Sequence, residues 1–165
     1  KVYRSELFRH VDSPPGYSFE DTLNPFYIYP PCNRIAQVPG IHYYYRPNPC
    51  SIMNSFQGSA RTVDSLWASR RVLSDYFSQG HKATDRLIRH FLQDVHSTAS
   101  HFRTLKNEQA MQALFAIQCD MFLKYFVGAT NDNNRDIRLP FLLKYTVHCL
   151  STANYRLFRA ITDSI

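Results

Sequence analysis

From Ser59 onward, apolar residues recur every three or four positions, which places them on one face of a helix. This pattern predicts a first helix that begins near residue 63 and ends before Gly80, a second over residues 83–104, and a third that begins after the N-cap candidate Asn107. Gly80 suits the left-handed position that commonly follows the last turn of a helix. The residues expected to face the core from these helices are Val63, Leu66, Trp67, Leu73, Phe77, Leu87, Ile88, Phe91, Leu92, Val95, Phe102, Met111, Leu114, Phe115, Gln118, Met121, Phe122, Tyr125 and Phe126.

The C-terminal part of the chain adds two shorter helices to this prediction. Pro140 is expected near the first turn of a fourth helix, where its missing N–H is tolerated, and a fifth helix follows a break at residues 151–154. About five helices from residue 59 indicate a mainly α fold, either an antiparallel helix bundle or the start of an α-solenoid. The inward face of the fourth helix is predicted to carry Leu142, Tyr145, Cys149 and Leu150.

The N-terminal third of the chain has a different pattern. Eight of the nine prolines and three of the five glycines fall within positions 12–58, so long helices and central strands are not expected there. The same stretch contains many aromatic and branched residues, which should not all stay in contact with water. We therefore predict two regions: a proline- and aromatic-rich extended arm over residues 1–58 that packs on the domain or on a partner, and a helical domain over residues 59–165.

Composition indicates a folded protein rather than a disordered tail, because 44% of the 165 residues are hydrophobic and 15% are aromatic. No apolar run of about 18 residues occurs, so we predict no membrane span and a soluble intracellular protein. The chain does not begin with Met, which leaves a targeting signal outside these residues open. The cysteines are predicted to be free and mostly buried thiols, with two disulfides in a secreted protein as the alternative; they are Cys32, Cys50, Cys119 and Cys149.

The usual sequence motifs of catalysis and cofactor binding are not found. The chain contains no GxxxxGK[ST], GxGxxG, GxSxG or HExxH pattern. His90, His96 and His101 do not share the i, i+4 spacing of a helical metal-ligand pair. We therefore predict no catalytic residues, no metal site and no cofactor. An enzyme with an unrecognised pair, such as Cys149 and a distant histidine, stays the alternative.

Positive charge is concentrated in the helical part of the chain. Of the net charge of +6, residues 1–58 contribute five Lys and Arg against four Asp and Glu, and residues 59–165 contribute fourteen against nine. Basic side chains of the second helix recur at spacings of three and four, opposite the apolar stripe, and two arginines of the first helix lie nearby if the helices are antiparallel. This face is predicted to bind phosphates with a steep salt dependence, although a solvated face with ion pairs is the simpler interpretation. The candidates are Arg70, Arg71, Lys82, Arg86 and Arg89.

A second nucleic-acid candidate lies in the arm. In "IHYYYRPNPC", Tyr44 and Tyr45 place aromatic rings beside the cation of Arg46. Single-stranded nucleic acid is bound in this way, at about 1–3 kcal/mol per stacked base. The same rings could instead anchor the arm to the helical domain.

Residues 46–79 and 141–161 resemble the GANP-type mRNA-export scaffold family. "RPNPCSIMNS" and "LWASRRVLSDYFSQ" are similar to its arginine–proline segment and to the arginine-containing helix that follows, and "FLLKYTVHCLSTANYRLFRAI" is similar to its asparagine–tyrosine segment. Trp67, Arg71 and Leu73 match in register, and Asp75 and Gln79 match after a one-residue deletion. The resemblance implies a nuclear scaffold that binds a PCI-like protein and a small acidic peptide, and that helps to move messenger ribonucleoprotein to the nuclear pore.

These observations predict a non-enzymatic helical scaffold that binds protein partners and single-stranded RNA, as in nuclear mRNA export or processing. The alternative is a viral or viral-like nucleocapsid protein that binds nucleic acid and self-assembles through its N-terminal arm. The two hypotheses differ in oligomeric state, because only the second requires ring-like or indefinite self-assembly.

Overall fold

The computed structural model describes residues 2–9, 11, 16–41, 43–51, 63–103, 106–130 and 139–163. Within these ranges the protein is mainly helical and contains no strand, which confirms the predicted mainly α fold. The described part of the chain has no helix that is both long enough and apolar enough to cross a membrane. The helices are α1 (Asn24–Tyr27), α2 (Asp64–Ser78), α3 (Asp85–Arg103), α4 (Glu108–Tyr125), α5 (Val127–Thr130), α6 (Phe141–Ser151) and α7 (Tyr155–Asp163), with 3-10 turns at Ser5–Phe8 and Glu20–Leu23.

The local sequence explains where the longer helices begin and end. Asn107 has an extended backbone and its side-chain oxygen accepts a hydrogen bond from the Ala110 N–H at 3.0 Å, which confirms the predicted N-cap. Pro140 directly precedes α6, where no intrahelical donor is lost. Gly80 follows the last turn of α2 with φ +79°, a conformation that glycine adopts without a steric cost.

One large apolar core holds the longer helices together. Helix α4 contacts α2, α3 and α6, while α3 contacts α2, α4, α6 and α7. Fully buried aromatic rings from different helices meet in this core, and Phe115 of α4 stacks on Phe158 of α7 with ring centroids 4.7 Å apart. The buried residues of this core are Leu66, Leu73, Ala83, Ile88, Phe91, Leu92, Val95, Ala99, Met111, Leu114, Phe115, Cys119, Met121, Phe122, Phe126, Leu143, Cys149, Leu150 and Phe158.

The inward face of α6 differs from the prediction. Leu142 and Tyr145, two of its four expected core residues, are 38% and 41% exposed, whereas Leu143 and Thr146 are buried. Thr146 is tolerated there because its hydroxyl donates to the Leu142 carbonyl oxygen at 3.0 Å. The same hydroxyl oxygen lies 2.6 Å from His96 Nε2 of α3. Since its hydrogen is donated to Leu142, it accepts a hydrogen bond from the His96 N–H, which joins the two helices inside the core.

The residues before α2 pack on one side of that helix and form a second, smaller apolar cluster. Leu23, Ala68 and Val72 are its buried members, and Trp67 lies at its edge. The Trp67 ring stacks on Tyr17 with centroids 4.7 Å apart. The expectation that Trp67 faces the main core is therefore wrong, because its indole is half-buried in the second cluster.

Residues 32–41 and 43–51 contain no helix or strand. Their large apolar side chains are exposed, and the three tyrosines 43–45 keep 70–83% of their surface in contact with solvent. The predicted boundary between arm and domain at residues 58 and 59 lies outside the described residues.

Candidate functional site

An open groove separates the N-terminal residues from helix α3, and we call it the basic groove. Phe26 and Tyr29 line one side, Tyr76 of α2 contributes a third ring, and Arg86 and Arg89 line the α3 side. The two arginines are three positions apart and therefore project from the same face of the helix. Neither forms an ion pair with a residue in the described ranges. Asp85 also lines the α3 side, so the groove combines two guanidinium groups that can meet an anionic ligand with one carboxylate.

The rings of the basic groove are held in place by their own contacts. The Tyr76 hydroxyl donates to the Lys82 carbonyl oxygen at 3.1 Å, and its ring lies 4.7 Å from the His81 ring. The Tyr29 ring stacks on Tyr3 with centroids 6.4 Å apart. Fixed rings beside cations that have no ion-pair partner in the described part of the chain can stack on bases and bind the backbone of single-stranded nucleic acid.

Two other predicted phosphate-binding residues lie on α2 outside the basic groove. Arg70 is exposed, and the guanidinium of Arg71 instead contacts Asp75, with Nε 3.0 Å from Oδ2. The hydroxyl of Tyr27 donates to the same carboxylate oxygen at 2.6 Å, so Tyr27, Arg71 and Asp75 form a unit that we call the Asp75 clamp. The clamp attaches α1 to α2, and Arg71 acts in it as a structural residue.

The pKa values in the Asp75 clamp follow from these contacts. Burial alone would raise the pKa of Asp75, but the hydrogen bonds from Tyr27 and Arg71 and the positive charge outweigh burial and hold the pKa below its ordinary value. Burial and the bond to Asp75 raise the pKa of Tyr27 to about 12. The hydrogen bond to Asp75 also raises the pKa of Arg71 above its ordinary value.

The remaining predicted residues do not line the basic groove either. Lys82 is exposed in the turn between α2 and α3; its carbonyl oxygen accepts from the Tyr76 hydroxyl, but Lys82 itself does not line the groove. Tyr44, Tyr45 and Arg46 are exposed in the segment without regular structure. The structure therefore brings together two of the eight predicted residues, Arg86 and Arg89, and adds three rings that charge patterning could not identify.

A smaller cavity of about 220 Å³ lies between α2 and α3 next to the basic groove, and we call it the Asp94 cavity. Its walls are largely apolar. The carboxylate of Asp94 faces it: Ser69 Oγ donates to Asp94 Oδ2 at 3.2 Å, and His90 Nε2 lies 3.7 Å from the same oxygen. Burial raises the pKa of Asp94, while the charge of His90 and the Ser69 hydrogen bond oppose this shift only in part.

Asp94 forms with His90 the i, i+4 pair that is ordinary for a helical aspartate, and it also borders a cavity. A sequence signal for this position was present, because Asp94 follows Phe91 by three positions and precedes Thr98 by four, and both neighbours are buried. A carboxylate at helical spacing from two buried residues lies at the border of the core. The order of contacts, with Asp94 between Ser69 and His90, also differs from a catalytic triad, in which the imidazole contacts the nucleophile.

The buried thiols and histidines form no further reactive site among the described residues. Burial, reinforced by the neighbouring Cys149, raises the pKa of Cys119 to about 11, and burial also raises the pKa of Cys149. Both groups therefore stay protonated at neutral pH, which makes them poor nucleophiles. The described ranges contain no group of three or more His, Cys, Asp or Glu side chains arranged to hold a metal ion.

No protein-family model, curated protein or solved structure matches this chain at a significant level. The resemblance to the GANP-type scaffolds stays a prediction from the sequence.

Proposed function

We propose that this protein is a non-enzymatic helical scaffold that binds single-stranded RNA in the basic groove and protein partners through its arm. The observation that supports RNA binding is the position of Arg86 and Arg89, which have no ion-pair partner among the described residues, beside the rings of Phe26, Tyr29 and Tyr76. The arginines suit phosphates and the rings suit unpaired bases.

The expected affinity can be derived from these groups. Each phosphate of a single strand that a protein cation neutralises contributes about −0.7 to the slope of log K against log salt concentration. Two arginines therefore give a slope of about −1.4. One stacked base adds about 1–3 kcal/mol without sequence preference. Binding should therefore be moderate, salt-dependent and tolerant of sequence.

The test is a fluorescence-anisotropy titration of a labelled single-stranded RNA of about 12 nucleotides at several salt concentrations. The native protein should bind with the slope given above, and the Arg86→Glu, Arg89→Glu double variant should bind at least about tenfold more weakly. The matched control is Lys144→Glu with Arg156→Glu, which changes the net charge equally at exposed positions outside the basic groove. The control should lose much less affinity.

Three outcomes would contradict the proposal. Absence of binding at about 50 mM salt, where phosphate contacts are strong, would remove RNA as the ligand. Unchanged binding by the groove variant would assign the RNA to another face. Equal losses of RNA affinity in both double variants would mean that binding depends on the net charge of the protein and not on the groove.

The protein-partner part of the proposal is supported by the arm. Ile35, Val38 and Ile41 are exposed together with the three tyrosines that follow, so the arm presents more apolar surface than a segment in water normally retains. A PCI-like protein, as the GANP-type resemblance implies, would cover these side chains in a nuclear mRNA-export scaffold. In this proposal the helices form a closed bundle rather than the first turns of a solenoid, which the contacts of α3 with both α6 and α7 support.

The same exposed arm favours one second candidate, a nucleocapsid-like protein whose arm packs on another copy of the chain. Light scattering after size-exclusion chromatography separates the two functions. A monomer supports the scaffold, and ring-like or indefinite assemblies that disappear in the Tyr44→Ser, Tyr45→Ser variant support the second candidate.

A further inference from the structure

We propose that the Asp94 cavity binds a small organic cation, namely a primary amine carried on an apolar ring or a short branched chain. This site needs no RNA and so goes beyond the function proposed above. The inference comes from the combination of an apolar cavity of limited size with a single carboxylate at its edge.

The walls of the cavity determine the body of the ligand. Ala68, Val72 and Leu73 of α2 face Leu87 and Phe91 of α3, and Phe26 closes one side. Since an apolar cavity of about 150 Å³ accommodates benzene, about 220 Å³ accommodates one aromatic ring with a short side chain. A ring or branched group fills this space better than the straight stem of a lysine, which favours a small molecule over a protein side chain.

The carboxylate determines the charge of the ligand. Among the described residues that line the cavity, Asp94 is the only carboxylate. Ser69 and His90 both contact its Oδ2 atom, and no other described residue donates to the carboxylate, so Oδ1 can accept from a ligand. The Asp94 side chain keeps 42% of its surface exposed, which leaves the carboxylate within reach of an entering ammonium group.

An ammonium group would also compensate the negative charge of Asp94, which the protein itself compensates only in part. Burial raises the pKa of Asp94, and the charge of His90 and the Ser69 hydrogen bond offset this shift only in part. A primary ammonium supplies a full positive charge and three N–H donors, one of which can reach Oδ1. Neutral and anionic ligands offer no such compensation, so the cavity should select cations.

The test uses two probes of nearly equal shape, 2-phenylethylamine and 2-phenylethanol, titrated into the full chain at neutral pH and followed by amide NMR shifts. The amine should bind with a dissociation constant on the order of 1 mM, and at least about tenfold more tightly than the alcohol. Shifts should be centred on Ala68, Leu87 and Phe91. Methylammonium, which has the charge without the apolar body, should not bind measurably.

The variant Asp94→Asn should lose the tenfold preference for the amine and keep the weak binding of the alcohol. The matched control is Asp120→Asn, which removes the same charge from an exposed position of α4 outside the cavity and should leave the preference unchanged. Equal affinities for amine and alcohol, or a preference that persists in Asp94→Asn, would overturn the proposal. If Asp94→Asn does not fold, the three probes are compared on the native protein alone. Amide shifts that lie outside the cavity would then overturn the proposal.

Discussion

Asp75 of α2 and Asp94 of α3 are two aspartates on neighbouring amphipathic helices with opposite surroundings. Asp75 accepts from the Tyr27 hydroxyl at 2.6 Å and from Arg71 Nε at 3.0 Å. Among the residues that the structure describes, Asp94 accepts only from Ser69 at 3.2 Å, with His90 farther away at 3.7 Å. Burial acts to raise the pKa of both groups, yet the pKa of Asp75 is lowered and that of Asp94 is raised.

The number and the charge of the donors explain this difference. A carboxylate with a cation and a hydroxyl is a satisfied structural unit, and at Asp75 it attaches the N-terminal residues to α2. A carboxylate with one hydroxyl and a distant imidazole retains binding capacity, and at Asp94 it borders a cavity. The comparison shows that the same residue type can stabilise a fold or prepare a site, depending on whether its partners are complete.

The largest effects concern the apolar surroundings of the two aspartates. Phe91, a wall of the Asp94 cavity, belongs to the main core, so Phe91→Ala should cost about 3–5 kcal/mol of unfolding free energy. Trp67, in the small cluster near the Asp75 clamp, is half-buried, so Trp67→Ala should cost only about 2 kcal/mol. Urea denaturation followed by far-UV circular dichroism measures both values.

Hydrogen exchange shows whether the two regions are independent. In Trp67→Ala, amide exchange should increase at residues 20–28 and stay slow in α4, because only the attachment of the N-terminal residues is weakened. Loss of protection in α4 as well would mean that the small cluster and the main core unfold as one unit. Equal losses of stability in Phe91→Ala and Trp67→Ala would contradict the distinction drawn between the two regions.

A smaller effect is expected when each aspartate loses its charge. Asp75→Asn weakens two charge-assisted hydrogen bonds and should destabilise the protein by about 1 kcal/mol, a value reduced for the partial exposure of the clamp. Asp94→Asn removes a poorly compensated charge and should change stability by less than about 0.5 kcal/mol, towards greater stability. Thermal unfolding of both variants, with Asp120→Asn as the control for charge removal, measures the contrast. Equal destabilisation by Asp75→Asn and Asp94→Asn would show that their partners are equivalent.

The sequence predicted the helices well where one face of the helix is mostly apolar, as in α4, whose buried face includes one polar residue, Gln118. In α4, the predicted stripe from Met111 to Phe122 is buried, and the Asn107 cap forms as expected. In α6 the same reasoning placed Tyr145 inside, because a buried Thr146 interrupts the apolar pattern and only the packed structure reveals its partner His96. Helical periodicity therefore fails where a polar residue is satisfied across the core.

The candidate sites were predicted less completely, for a related reason. Arg86 and Arg89 could be identified because neighbours on one helix share a face. Arg71 is paired with Asp75 four positions away on its own helix. The rings beside Arg86 and Arg89 come from other elements, and so do Tyr27, the partner of Asp75, and Ser69, the partner of Asp94. Contacts of this kind depend on how α1, α2 and α3 pack, which single-helix patterns do not specify.

The smallest expected effect is the pH dependence of the two aspartates, which should have opposite signs. Because the pKa of Asp75 is lowered, its contribution to stability is present above the ordinary value of 3.8 and is lost as the pH falls through the folded-state value. Because the pKa of Asp94 is raised, its contribution is fully present below 3.8 and is lost as the pH rises through the folded-state value.

Urea denaturation at several pH values between about 3 and 7 tests these signs. The stability of the native protein minus that of Asp75→Asn should decrease towards acid pH, whereas the difference for Asp94→Asn should decrease towards neutral pH, by less than about 1 kcal/mol each. Burial lowers the pKa of His96 and destabilises the folded state as the pH falls, but this effect is common to all variants and cancels in the differences. Slopes of the same sign would mean that Asp94 is as well compensated as Asp75.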